Sequence, residues 1–201
     1  MATCRTLTGI NKEDCFGNAG GIKSRVWIFD KDAIAIIPQM TGTGSGDGRV
    51  EWADGIVHVW KAGETDETTS HTQLVEDTDY YTLNFRKQSS SFNSEATIDP
   101  AQGINFWTNT LALVFARQDV AKRAAVQALL LAGNLAAIVE DQNGEFHFMG
   151  ADDACEPAAA TANTGTASTD ANNYTINIQD ITSELPYFVT RENMQTIGLI
   201  D

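Results

Sequence analysis

Hydrophobic positions recur along this chain with two different periods, and the change of period marks its elements. Ile22, Val26, Trp27, Ile28 and Phe29 form a β-branched and aromatic run that stops at Asp30-Lys31-Asp32 and resumes from Ala33 to Ile37, ahead of Pro38. Apolar runs bounded in this way predict two strands joined by a tight turn. Val50, Trp52, Ile56, Val57, Val59 and Trp60 predict a further strand region. Tyr80, Tyr81, Leu83 and Phe85 are interleaved with Thr82, Asn84 and Arg86, the alternation of a strand with one wet face. After a break at Ser89-Ser90-Ser91, Ile104 to Ala116 reads as one long strand carrying Phe106, Trp107, Leu111, Leu113, Val114 and Phe115.

There the period lengthens. From about Asp119 to Ala132, the residues Val120, Ala124, Ala128 and Leu131 recur at spacings of three and four, with Lys122, Arg123 and Gln127 largely off that stripe. This predicts one helix, packed through the Val120, Ala124, Ala128, Leu131 stripe and capped by Gly133. Leu135 to Val139 and Glu145 to Met149 flank Asp141-Gln142-Asn143-Gly144, where Asn-Gly predicts a β-hairpin. Ala158 to Asn173 lacks large apolar side chains, cannot bury a core of its own, and predicts a long loop. Tyr174, Ile176 and Ile178 alternate with Thr175, Asn177 and Gln179 as a half-buried strand does, and Pro186 limits Leu185 to Val189 to an edge strand. Arg191 to Asp201 contains Ile197, Leu199 and Ile200 without a clear period.

The sum predicts a single, mainly β domain: about eight to ten strands forming a β-barrel or β-sandwich with one packed α-helix. Parallel βαβ units, which need helices alternating with strands, are disfavoured. Residues 1–21, polar and rich in Gly and Asn, predict an N-terminal arm. Thr41 to Gly48, with four glycines at alternating positions, predicts a flexible hairpin tip, and 158–173 a second flexible loop.

Composition narrows the functions open to such a domain. Of 201 residues, 42% are hydrophobic, enough for a real core, while 13 Lys and Arg stand against 27 Asp and Glu for a net charge of -14. That balance argues against gripping nucleic acid, which requires cations at the phosphates. The longest apolar runs, Ala124 to Ala132 and Leu135 to Val139, fall short of the roughly 20 residues that span a bilayer. Met1 to Ile10 is polar, without a signal-peptide pattern, so a soluble protein made in a cytoplasm is expected. Cys4, Cys15 and Cys155 are too widely spaced for a metal clip and predict free thiols.

Known catalytic patterns are not met. Gly42 to Gly48 has neither phosphate-loop nor dinucleotide-loop spacing. His58, His71 and His147 form no HxxxH pair, and His147, between Phe146 and Phe148, is expected to face away from them, exposed or at an interface. Asp152-Asp153 and Glu64, Asp66 and Glu67 do not match a calcium loop. Cys155, beside Asp152, Asp153 and Glu156, is expected to have a raised thiol pKa. No catalytic residue, cofactor site or metal site is assigned.

Cys15-Phe16-Gly17-Asn18-Ala19-Gly20-Gly21-Ile22-Lys23, leading into Val26-Trp27-Ile28-Phe29, resembles the opening of a group of virion structural proteins of tailed bacteriophages, especially phages of Bacteroidetes-type hosts. The later order is also similar to theirs: an alanine-rich helix, the Leu135 to Gly144 hairpin, an acidic loop after Gly150, a Thr/Gly-rich loop and a final Tyr-Thr-Ile strand. The overall order resembles that of phage tail tube proteins. The resemblance implies a subunit of stacked, homohexameric rings that conduct DNA without specific binding, located in the virion tail and assembled in the host bacterial cytoplasm. Its implied partners are itself and other tail or head-completion proteins, with no membrane, no cofactor and no enzymatic activity. The arm and the two flexible loops would order on assembly, and an acidic lumen would repel the DNA backbone. The alternatives are a head decoration or head-to-tail connector protein, separable by rings that do not stack or by capsid binding. A small β-barrel enzyme or ligand-binding protein would require a pocket where His147, Asp152 and Asp153 converge.

Overall fold

The computed structural model describes residues 19–40, 52–61, 80–151 and 153–201. The expected glycine-rich tip, Thr41 to Gly48, and nearly all of the expected arm lie outside the described residues, as do Cys4, Cys15, His71 and Asp152. The strands are β1 (Ile22–Asp30), β2 (Ile34–Met40), β3 (Trp52–Lys61), β4 (Tyr80–Asn84), β5 (Ser91–Asp99), β6 (Ile104–Ala116), β7 (Leu135–Asp141), β8 (Phe146–Met149), β9 (Glu156–Asn163), β10 (Asn173–Thr182) and β11 (Tyr187–Val189). Helix α1 spans Val120–Leu131 and α2 spans Arg191–Thr196. None of the described helices is long and apolar enough to cross a membrane.

Two open sheets result, so of the two expected architectures the closed barrel is not formed. One sheet has the order β2-β3-β11-β8-β7-β1-β4, the other β5-β6-β10-β9. The larger one must curl. Only Lys31–Ala33 separate β1 from β2, yet the two strands stand five places apart in the sheet. Five strand spacings are about 24 Å when flat. The link from Asp30 to Ile34 spans at most about 15 Å. The sequence break at Asp30-Lys31-Asp32 therefore marks a corner between distant strands and not the hairpin its brevity suggests.

Curling gives the central strands two apolar neighbours. Val26, Ile28, Ala137, Val139 and Met149 meet Leu111, Leu113, Ile176 and Ile178 of the smaller sheet. Trp27, Phe29, Ala136, Ile138, Phe146 and Phe148 point the other way, onto Val59, Met194, Ile197 and Leu199. Burial on both faces explains why β7 is apolar almost without alternation, since neither side meets water. Asn193 of α2 fixes the second layer: its Oδ1 accepts from Val59 N at 2.9 Å and its Nδ2 donates to Val59 O at 3.0 Å, extending the ladder where β11 ends beside Val57.

Several expectations are corrected. β5 and α2 were not foreseen, and Ala158 to Asn163 is strand, its backbone paired along β10, so the loop is confined to residues 164–172. Small side chains suffice there because the ladder and not a core holds the strand. β11 is no edge strand: it lies between β3, to which it is parallel, and β8. Pro186 sits just before it and removes no ladder hydrogen bond.

The hairpin forms as expected. Gly144 has φ +95 while Asn143 does not have positive φ, and Asp141 N donates to Glu145 O at 2.9 Å. That is a type I turn closed by a glycine bulge rather than a two-residue type I′ turn. Asp141 Oδ1 supports it by accepting from Asn143 N and Glu145 N.

α1 starts and ends where its pattern predicted, but the buried face is Val126 and Leu129, while Val120 and Leu131 are exposed. Val126 and Leu129 form a second apolar face beside the Val120, Ala124, Ala128, Leu131 stripe, so the periodicity alone could not choose between them. Gly133 does not cap it in the left-handed conformation; the cap is Ala132, extended. At the other end Asp119 accepts from Lys122 N at 2.8 Å. That bond first, and then Lys122's side chain, hold the Asp119 carboxyl below its ordinary value. A lowered folded-state pKa contributes stability above the unfolded value, about 3.9, that is lost as pH falls through the folded one. Asp119→Asn keeps a capping oxygen and loses the charge, so the variant should be less stable than the parent at pH 7 and equal to it at acid pH, read from urea midpoints. A difference that does not vanish on acidification would exclude this charge effect.

Candidate functional site

A cleft of about 390 Å³ lies between the hairpin turn, the start of β5 and the segment before β11. Its walls include Gly20, Gly21, Phe92, Ser94, Leu185 and Phe188, and His147 projects into it. His147 faces away from Phe146 and Phe148, as alternation requires, but it is only partly exposed, its ring 5.4 Å from Phe92 and 4.8 Å from Phe188. Its Nε2 lies 3.6 Å from Asp141 Oδ2. The other Asp141 oxygen, Oδ1, is committed to the turn.

The convergence that would favour an enzyme or a ligand-binding barrel is not formed among the described residues. Asp153 does not line the cleft; its Oδ1 accepts from Ala154 N. His58 lies in β3, away from β7 and β8 in the sheet order. No group of three or more His, Cys, Asp and Glu gathers to hold a metal among the described residues.

Cys155 is fully buried, bridged through its backbone to Leu135. Burial pushes its thiol far up, and the Asp180 charge adds to this, so the reason differs from the sequence expectation, in which neighbouring carboxylates dominated. Native protein should therefore leave Cys155 unmodified by iodoacetamide at pH 8 and alkylate it fully in urea, followed by peptide mapping. Labelling of the folded protein would show that the strand start opens.

A second place is a surface. On the outer side of the smaller sheet, Asn93, Glu95 and Thr97 of β5 stand beside Thr110, Thr108 and Phe106 of β6. Thr175, Asn177 and Gln179 of β10 continue the face to Thr161, Ala159 and Glu156 of β9. None of the four strands contains Lys, Arg or His; their charges are Glu95, Asp99, Glu156 and the buried Asp180. Inside, the pattern reverses to Leu111, Leu113, Ile176 and Ile178. The absence of cations was visible in the sequence, but it acquired meaning only when β5, not foreseen as a strand, and β9, most of it expected as loop from Ala158 on, completed a sheet. Among the described residues β5 and β9 each have one strand partner, so each stands at an edge of the sheet.

No protein-family model, curated protein or solved structure matches this chain.

Proposed function

We propose that this chain is a structural subunit of a tailed phage virion, a tail tube protein that assembles into stacked, homohexameric rings around a DNA-conducting channel. The observation that carries the reading is the outer face of β5-β6-β10-β9: broad, hydroxyl- and amide-rich, acidic at intervals and free of Lys, Arg and His. A wall past which a polyanion must slide should hydrate well and offer no counterion to the phosphates, because each cation at a phosphate adds salt-dependent affinity. The edge positions of β5 and β9 suit continuation of that wall from subunit to subunit, since backbone pairing needs no particular side chain. The resemblance of Cys15 to Lys23 to phage virion proteins points the same way. On this reading the partners are further copies and other tail or head-completion proteins, DNA passes without specific contact, and the protein performs no catalysis.

The test is negative-stain microscopy with light scattering at two concentrations and two salt levels. Rings or tubes with a central hole are expected, more of them at high salt, because a subunit of charge -14 repels its copies until screened. Monomer throughout, or solid fibres, would defeat the reading, and rings that never stack would favour the decoration or connector role. Asn177→Lys with Thr110→Lys should turn assemblies that ignore duplex DNA at low salt into ones that retain it.

A further inference from the structure

We propose that α1 is two-faced, and that its outward stripe docks on the β5 flank of a second copy of this chain, one head-to-tail contact repeated through the assembly. Val126 and Leu129 belong to the core, but Val120 and Leu131 are 86% and 78% exposed. Tyr81 of β4, 68% exposed, borders the same side across a groove of about 250 Å³ formed with Leu83, Ala125, Ala128 and Ala132. Single exposed apolar residues are ordinary, whereas a contiguous group of this kind marks a contact surface.

A second such group lies on the opposite flank. Ile98, Leu185 and Phe188 are 65%, 56% and 39% exposed. Leu185 and Phe188 share the His147 cleft with Phe92 of β5, and Ile98 lies on the same face of β5 as Phe92. α1 lies against β9, and β9 and β5 are the two edges of one sheet, so the two groups look away from each other.

Charge selects the occupant. Arg117 and Arg123 are exposed on the α1 side, where Asp119 is paired with Lys122 and Asp30 accepts from Asn134 and from Asp32 N, while Asp141 lines the cleft with Leu185 and Phe188, and Glu184 borders Leu185 and Phe188 on the β5 side. Pairing α1 with α1 would set guanidinium against guanidinium; pairing α1 with β5 sets it against carboxylate and apolar surface against apolar surface. Two different complementary patches on opposite flanks give a heterologous contact, which closes into a ring or runs on as a chain and does not stop at a dimer.

The experiment uses the full chain and two variants, Val120→Asp with Leu131→Asp on one flank and Ile98→Asp with Leu185→Asp on the other, in sedimentation velocity. All four positions are exposed, so circular dichroism should be unchanged. Each variant alone should self-associate at least about 100-fold more weakly, as expected when central apolar anchors are lost. Mixed one to one, they should form a heterodimer that grows no further, because each supplies the flank the other lacks. Either variant assembling like the parent, or the β5-flank variant stopping at a homodimer, would overturn the contact. The inference rests on the tube reading only for closure. Parent chains without a central hole, with complementing variants, would sink the tube and leave the contact standing. Tubes from parent and variants alike would do the reverse, and a monomeric parent would overturn both.

Discussion

Trp27→Ala should destabilise the fold by about 3 to 5 kcal/mol and lower the melting temperature by on the order of 10 °C. The indole is 1% exposed, sits 6.2 Å from the Phe146 ring, and carries the Arg25 guanidinium 4.5 Å from its centre. It stands in β1, which is flanked by β7 and β4 and covered on both faces, so the neighbours cannot collapse into the space without moving strands of two layers. Urea denaturation of the single variant measures the loss. A change below about 1 kcal/mol would mean that the second layer, α2 and the tail, does not press on β1 as described.

Gly150→Ala should be nearly as damaging although it adds one carbon. Gly150 has φ +88, and a Cβ there would lie 2.9 Å from Leu135 O, 3.1 Å from Ala136 Cα and 3.2 Å from Cys155 Sγ. Two of these three are backbone in the most buried strand and cannot swing aside. The Gly150 N–H also donates to Asp180 Oδ2 at 2.7 Å, a buried bond that any retreat of the backbone would stretch. Left-handed backbone alone costs roughly 1 to 2 kcal/mol in an L-residue, and overpacking adds about 1 to 3. Gly144→Ala is the internal control: φ is +95, but nothing lies within 4 Å of the added carbon, so only the smaller, conformational part should be lost. Equal losses at the two positions would remove the crowding argument.

The strands that read clearly are those in which pattern and burial coincide. β6 was bounded correctly at Ile104 and Ala116, and the alternation of β10 is the alternation of its environment, Ile176 and Ile178 inside and Asn177 and Gln179 outside. β9 was invisible because its side chains are small or polar, and in β5 the widely spaced Phe92, Ala96 and Ile98 are diluted by Ser, Asn, Glu and Thr; each strand is held by ladder bonds to a strong neighbour, which propensity does not record. α2 was missed for a related reason, since one buried amide, Asn193, and one buried apolar side chain, Met194, dock it, and two adjacent residues announce no period. Of the proposed channel-facing surface, the acidity was legible in composition, whereas its location was not.

By itself, then, the sequence determined the β-rich class, the span of α1, the hairpin at Asn143-Gly144 and the exclusion of basic groups from four segments of the chain. These are properties of neighbours along the backbone, written in local spacing and turn chemistry. Tertiary structure alone decided the curl that places β1 and β2 five strands apart, the central position of β11, and the choice of Val126 and Leu129 over Val120 and Leu131 as the buried face of α1. Both the Val120, Ala124, Ala128, Leu131 stripe and the Val126, Leu129 face of α1 are apolar, so local spacing chooses neither until something is packed against one. What covers one stripe leaves the other exposed, and only the folded chain could say which.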